Sequence, residues 1–279
     1  MEIRSVTKAI RLLNALASDP APIGVSELGR QLEMDKASVS RMLRTLEQAG
    51  FVSQDAHSQR YGLGVALVAM GHKALKRVEV RGAARPSLEA LAEITGECSH
   101  TSILVANRSF YLDQVAPARG VSVDSPVGTL APLHCTALGK AMLAFQDKKS
   151  FEHIVADLDF EPFTRRTIVD SSTFRKNLAD VRRSGIAYDD EEFSIGVRCL
   201  AAPVFAHDGR VCGAIGVSGP SPRATDNKMI EWEEVIRLEA EAVSARMGFD
   251  SGQFEELRRS VQMEHEGKPT SVGAKKLAG

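Results

Sequence analysis

The sequence lacks four features that would have assigned it to well-defined classes of protein. No apolar run is long enough to cross a membrane, and the first ten residues, MEIRSVTKAI, contain no signal-peptide core. The four cysteines (Cys98, Cys135, Cys199, Cys212) form no C-x-x-C pair, which disfavours a zinc finger and favours reduced thiols. The net charge is only −1, so no overall positive field marks a nucleic-acid-binding protein. We therefore expect a cytoplasmic protein, away from membranes, in which any DNA affinity comes from locally placed side chains.

Residues 25–52 predict two helices joined by a tight turn. The first helix is expected at 26–32 and the second at 36–49, with Asp35 as the N-cap and Gly50 just beyond the C-terminus. One face of the second helix is apolar, whereas the opposite face carries donors for bases and phosphates near its start. This arrangement predicts a helix-turn-helix whose second helix enters the DNA major groove. The DNA-binding residues predicted here and on the following strand are Lys36, Ser38, Ser40, Arg41, Arg44 and Arg60.

The next segment predicts a hairpin wing, with a polar turn at 53–59 and an alternating strand at 60–63. A helix pair alone is also typical of an ordinary bundle, but the wing favours a winged helix-turn-helix domain over 1–63. Repeated apolar residues then predict a linker helix at 64–79, which packs either on its own domain or on a second subunit. We favour the second subunit, because helix-turn-helix proteins that read palindromes bind as dimers.

From residue 80 the pattern changes to strands grouped between helices, which predicts an α+β domain with a largely antiparallel sheet at 80–249. One helix is expected to start at Arg85-Pro86, and a short strand is expected at 121–123. The polar segment 250–279 predicts a mobile tail.

The clearest hairpin of the chain spans 199–218, with Asp208-Gly209 as a two-residue turn. This turn would place Cys199 opposite Ser218, Ala201 opposite Gly216 and Phe205 opposite Cys212. One face of the hairpin then carries large apolar residues and the other carries almost only small ones. The small face indicates either close packing against a helix or a ligand cavity.

Two further positions point to the same region. Asp189 follows an apolar strand, so it is expected at the end of the sheet. Thr136 is placed to cap a helix whose free first-turn amides can bind an anion.

The chain resembles the IclR family of bacterial transcriptional regulators over about residues 4–248, through four segments in order: GVSELGRQL…KASVSRMLRTLEQAGFV, RYGLG, HCTALGKAMLA and RRSGIAYDDEEFSIGVRCLAAPVF…GAIGVSGP. The resemblance implies a winged helix-turn-helix, a linker helix and a C-terminal GAF-like effector-binding domain. It also implies homodimers or homotetramers on palindromic double-stranded DNA operators, with small organic or aromatic acids as effectors. The effector contacts that the resemblance implies are Ala131, Ala137, Leu138, Asp189, Val197, Cys199, Gly216 and Ser218. With Thr136, predicted from its capping position, they make up the predicted effector-binding residues.

One position departs from the family pattern, because some members with small-acid ligands carry a serine where this chain has Gly216. The glycine removes a donor and is expected to add room. We therefore do not expect a two- or three-carbon acid as the effector.

The expected function is a ligand-responsive regulator, in the first place a repressor of a catabolic operon released by such an acid. An activator of the same type is the alternative. Two other classes stay open: an enzyme using Cys199 or Cys135 with His134, and a metal sensor using His134, Cys199 and the acids at 189–192. The enzyme lacks a third orienting group, and the spacing of the metal ligands is not diagnostic. We predict no catalytic residue, no metal and no cofactor.

Overall fold

The computed structural model describes residues 3–75, 79–117, 123 and 125–250, together with five positions between 256 and 263. The chain divides into two compact units, residues 1–77 and 78–279. Within the described residues, no helix is both long and apolar enough to cross a membrane. The strand predicted at 121–123 and the tail predicted at 250–279 fall largely outside these residues, so both stay predictions.

The described residues of the first unit form four helices and one short hairpin. In chain order they are α1 (Arg4–Ser18), α2 (Val25–Leu32), α3 (Lys36–Gln48), β1 (Val52–Gln54), β2 (Tyr61–Leu63) and α4 (Val65–Leu75). The antiparallel pairing of β1 with β2 confirms the predicted wing. Its core joins α1, α2, α3 and both strands; the buried residues include Leu12, Leu16, Leu28, Val39, Leu43 and Val52.

The turn between α2 and α3 depends on local chemistry that the sequence largely predicts. The backbone N–H of Ser38 donates to Asp35 Oδ1 at 2.8 Å, which confirms the N-cap. Gly50 follows the helix with φ +72°, as expected of its position. Gly29 was not singled out, yet an added Cβ there would lie 2.9 Å from the Met34 carbonyl oxygen. A glycine at this position therefore lets the turn lie close against α2.

The second unit is a six-stranded antiparallel sheet with helices on both faces, which confirms the α+β prediction. Its elements are α5 (Glu79–Thr95), β3 (Cys98–Val105), β4 (Arg108–Val115), β5 (Leu130–Ala131), α6 (Ala137–Ala144), α7 (Lys148–Ala156), α8 (Ser171–Ser184), β6 (Ala187–Asp190), β7 (Val197–Phe205), β8 (Val211–Pro220) and α9 (Asp226–Arg246). The strand order is β5-β4-β3-β8-β7-β6. Helices α5 and α9 cover one face, while α6 lies against the other and packs on α8.

The predicted start of α5 at Arg85-Pro86 is wrong, because the helix begins at Glu79 and contains Pro86. A proline inside a helix removes one backbone hydrogen bond. Burial compensates for this loss, since Val80, Ala84 and Leu88 form an apolar stripe at a spacing of four residues.

The register of the hairpin is confirmed near the site and wrong near the turn. Cys199 pairs with Ser218 and Ala201 with Gly216, as predicted, but Phe205 pairs with Val211 rather than Cys212. A register shift lies between Val204 and Phe205, and the loop is closed by the N–H of Ala206 donating to the Arg210 carbonyl at 2.9 Å. Gly209 takes φ +78°, as in longer hairpin loops that end in a bulge.

The small-residue face of this hairpin both packs closely against a helix and lines a cavity, which are the two alternatives that the sequence left open. Ala201 and Ala214 belong to the core cluster that contains Ala137 and Ala141 of α6. All eight residues of α6 are buried, so close packing is its main role here. Nearer the strand ends, around Cys199 and Ser218, the packing opens into a cavity.

Candidate functional site

The first unit presents a polar surface on the outer side of α3, opposite its buried stripe. Lys36, Arg41 and Arg44 are exposed there, and Ser38 and Ser40 lie on the same helix. A guanidinium N–H of Arg41 donates to Ser38 Oγ at 3.4 Å, which orients the arginine along the helix start. The surface therefore offers cationic and hydroxyl donors of the kinds that read base edges and phosphates. The individual DNA contacts of these residues stay predictions.

Arg60 is held by its own unit in a way that the sequence did not indicate. Its Nη1 donates to the Pro22 carbonyl oxygen at 3.0 Å and lies 3.5 Å from Glu27 Oε2. Both side chains of this ion pair are half-exposed, so its contribution to stability is small. A DNA phosphate would have to compete with Glu27 for this guanidinium.

The second unit contains a cavity of about 160 Å³ between the start of α6, strands β7 and β8, and the segment that connects β6 to β7. Eight of the nine predicted effector-binding residues line it: Thr136, Ala137, Leu138, Asp189, Val197, Cys199, Gly216 and Ser218. The exception is Ala131, which is buried in β5, where it pairs with Ser109. The structure thus brings together residues that lie far apart in the sequence.

The sequence did not single out several residues that also line the cavity. They are His100, Tyr111, Val123, Ser125, Phe193, Ser194, Leu200 and Val217. The rings of His100 and Tyr111 meet edge to face, with centroids 5.6 Å apart. The sequence did contain a usable signal, a run of four polar residues at 99–102 within the predicted strand. The structure shows that this run is fully buried in β3. Buried polar residues in a central strand frequently mark a binding site or a hydrogen-bonded network.

The expectation that Gly216 adds room to the cavity by lacking a side chain is wrong. A Cβ built at this position would lie 2.2 Å from the Leu200 carbonyl oxygen and 2.9 Å from the Ala201 Cβ. The neighbouring strand therefore already occupies the place where a side chain would begin. The cavity owes its volume to the other lining residues, and a bulky substitution of Gly216 would disturb the sheet rather than fill the cavity.

Asp189 is the one carboxylate among the described residues that line the cavity, and none of them is a lysine or arginine. The side chain is almost fully buried, and its Oδ1 accepts hydrogen bonds from the N–H groups of Glu192, at 2.7 Å, and Phe193, at 3.3 Å. Burial raises the pKa of Asp189 to about 7, although the nearby Lys140 cation acts to lower it. Near neutral pH the Asp189 carboxyl is therefore present in both its protonated and its ionised form.

The thiols do not have the properties of nucleophiles. Burial raises the pKa of both Cys199 and Cys135 far from neutrality, so neither is a thiolate at neutral pH. His134, the candidate base, places its Nε2 3.0 Å from the Glu161 carbonyl oxygen, and burial lowers its pKa. In the part of the chain that the structure describes, no group of three or more His, Cys, Asp or Glu side chains is arranged to hold a metal.

Sequence comparison assigns the two units to one family. The profile of the IclR helix-turn-helix domain matches residues 5–56, and that of the bacterial transcriptional regulator IclR C-terminal domain matches residues 72–245. The chain belongs to the IclR family. The helix-turn-helix unit with its wing and the antiparallel sheet domain are thus the two parts of an IclR-family regulator.

Individual relatives agree with this assignment over nearly their whole length. The HTH-type transcriptional regulator KdgR of Escherichia coli K12 is 30% identical over 252 residues, which cover 90% of this chain and 95% of KdgR. The transcriptional repressor IclR of the same organism is 27% identical over 249 residues, covering 88% and 91%. The crystal structure of Thermotoga maritima IclR superposes with a TM-score of 0.75 at 28% identity, covering 89% and 100%. This chain is accordingly a DNA-binding transcriptional regulator and not an enzyme.

Proposed function

We propose that this IclR-family regulator represses a catabolic operon by binding a palindromic operator, and that a small organic or aromatic acid in the cavity releases it. The observation that carries the proposal is the cavity itself, which is small, largely enclosed by apolar groups and supplied with a few polar ones. A relative of similar length is a transcriptional repressor, which supports repression over activation.

The size of the cavity supports a small effector. Its volume of about 160 Å³ is close to the roughly 150 Å³ of an engineered cavity that binds benzene. A single aromatic ring or a short-chain acid therefore fits, whereas a bulkier ligand would require the wall to move.

The polar groups support an acid with a second polar end. The Thr136 hydroxyl accepts a hydrogen bond from the Gly139 N–H at 3.3 Å, while the amides of Ala137 and Leu138 begin α6 at the cavity. A helix cannot satisfy its own first-turn amides, so these can receive a carboxylate. Ser218 offers a hydroxyl donor, and Asp189 accepts from a hydroxyl or amide of the ligand. A carboxylate placed directly against an ionised Asp189 would be repelled.

The surface of α4 supports assembly into a dimer or a dimer of dimers. Among the described side chains of this helix, three large apolar ones are exposed: Val65 by 78%, Val68 by 71% and Met70 by 53%. Exposed apolar residues spaced along one short helix are typical of a surface that a second subunit covers. Two subunits would then present two copies of α3 to the two halves of a palindrome.

Release of DNA requires that the effector bind the free and the DNA-bound forms with different affinity, since equal affinity shifts no equilibrium. In this proposal the acid favours a subunit arrangement in which the two copies of α3 no longer match the half-sites. The effector thereby weakens operator binding without touching DNA.

A thermal-shift screen of small carboxylates, including benzoate and 4-hydroxybenzoate, tests the effector. An acid present at about 100 times its Kd should stabilise the folded protein by roughly 2.7 kcal/mol. The same acid should release a fluorescent operator duplex, selected from the promoter regions beside the protein's own gene. Ser218→Ala should weaken the response, while Ser172→Ala, which changes an exposed serine in the first turn of α8, should leave it intact. An acid that binds and tightens operator binding would contradict release.

A further inference from the structure

We propose that Glu192, paired with Lys140, is a positioning residue of the effector cavity: it fixes the wall made by Phe193 and Ser194 and sets the charge around Asp189. The inference rests on the proposed function, because it concerns the same cavity. Neither Glu192 nor Lys140 lines that cavity, so both act through other residues.

The ion pair is buried on both sides. Lys140 is completely buried in α6, the Glu192 side chain is 10% exposed, and Lys140 Nζ lies 2.6 Å from Glu192 Oε1. Glu192 Oε2 has no hydrogen-bond partner among the described residues, so Lys140 is the polar contact that holds this carboxylate. A buried charge that loses its partner is strongly unfavourable, which makes the position of Glu192 dependent on the pair.

Glu192 is attached to the unit at three points. Its side chain binds Lys140, its N–H donates to Asp189 Oδ1 at 2.7 Å, and its carbonyl oxygen accepts from Thr167 Oγ1 at 2.6 Å. The next two residues, Phe193 and Ser194, line the cavity. The cavity wall made by Phe193 and Ser194 therefore directly follows Glu192, whose position is fixed by a buried ion pair.

The pair also acts electrostatically on Asp189. The Lys140 cation lowers the pKa of Asp189 and the Glu192 anion raises it, both in addition to the larger effect of burial. Removing only the Glu192 charge would leave Lys140 unbalanced beside Asp189 and favour the ionised form of Asp189. Among the described residues, the thiols of Cys135 and Cys199 and the phenol of Tyr111 also interact with Asp189, and burial keeps these three groups neutral. The His100 ring lies on the wall of the same cavity.

Hydrogen exchange of the effector-free protein tests the positioning role. Glu192→Gln should speed amide exchange across residues 191–196 by about tenfold or more, because the ion pair is reduced to a hydrogen bond with a neutral amide and the buried Lys140 loses its counter-charge. The matched control is Arg166→Met, which removes the exposed ion pair between Arg166 and Asp190 in the same region. That control should change exchange by less than about threefold, because exposed pairs contribute little.

A second measurement gives a signature that a purely structural role would not produce. The Asp189 carboxyl carbon, followed by NMR in protein labelled at aspartate, should titrate at lower pH in Glu192→Gln than in the wild type. Arg166→Met should leave its midpoint in place. Unchanged exchange at 191–196 in folded Glu192→Gln, or an unmoved Asp189 midpoint, would overturn the inference.

If Glu192→Gln does not fold, the variant Lys140→Met with Glu192→Gln removes both charges and leaves no unpaired ion. Exchange across 191–196 should still be faster than in the wild type, and a wild-type rate would overturn the inference. Because no effector is present in these experiments, their failure leaves the proposed function standing. A screen that finds no acid ligand would, conversely, leave the result on Glu192 unaffected.

Discussion

The raised pKa of Asp189 predicts that this residue makes the stability of the second unit depend on pH, and that Asp189→Asn removes its part of the dependence. Asparagine keeps an oxygen that can accept from the N–H groups of Glu192 and Phe193, so it copies the protonated carboxyl in shape and hydrogen bonding. It cannot ionise. The substitution therefore separates the cost of the buried charge from the contacts of the side chain.

The sign follows from proton binding. Asp189 has a pKa of about 7 in the folded protein, against an ordinary value of 3.8. Between these values the folded state binds more protons than the unfolded state, so stability falls as pH rises from about 4 to 7 and is level above. A pKa difference of about 3 corresponds to on the order of 4 kcal/mol, an upper limit for a group that can relax.

Urea unfolding followed by tryptophan fluorescence measures this effect in the second unit alone. Trp232 is the single tryptophan of the chain and is buried in α9. Wild type should lose stability relative to Asp189→Asn between about pH 4 and 7, by up to a few kcal/mol. Asp208→Asn is the control, because Arg210 lowers the pKa of Asp208 and reverses the sign of its small contribution. Parallel curves for wild type and Asp189→Asn would refute the reasoning.

Three further predictions concern the first unit. Arg41→Ala should cost about 1–3 kcal/mol of binding free energy on the operator and relax the sequence preference. Arg44→Ala should weaken binding to all sequences alike and reduce the slope of log affinity against log salt concentration by about 1. Fluorescence anisotropy at several salt concentrations measures both effects. Val68→Glu with Met70→Glu should shift the protein to a smaller species in sedimentation velocity, and an unchanged assembly would count against α4 as an interface. Asp35→Ala should loosen the start of α3, because the cap hydrogen bond is lost, and this should be seen as faster amide exchange in the first turn of the helix.

The parts of the fold that the sequence predicted well are those decided by neighbouring residues. Asp35, Gly50 and the wing turn act within a few positions, so capping and turn chemistry were sufficient to locate them. Prediction failed where packing overrides local preference. Pro86 is typical of a helix start, yet α5 begins seven residues earlier, at Glu79, because the buried residues Val80, Ala84 and Leu88 stabilise the helix on both sides of the proline.

For the site, local chemistry alone indicated Thr136, Asp189 and the small-residue face, and the family resemblance supplied the other positions. The residues that were missed depend on long-range pairing. His100 and Tyr111 reach the cavity because β3 pairs with both β4 and β8, and no pattern within either strand reveals those partners. Gly216 was identified correctly but given the wrong reason, because its close contact with Leu200 exists only once β7 and β8 are paired.

The pairing of Lys140 with Glu192 shows why a charge is harder to interpret in sequence than an apolar residue. Lys140 lies in a helix whose other residues are apolar or small, and Glu192 ends a run of four acids. Such a run is ordinarily solvated. Its members instead divide in the fold: Asp189 turns to the cavity, Asp190 pairs with two arginines near the surface, and Glu192 enters the interior. A buried lysine in an apolar-rich helix requires a counter-charge, and in this fold Glu192 supplies it.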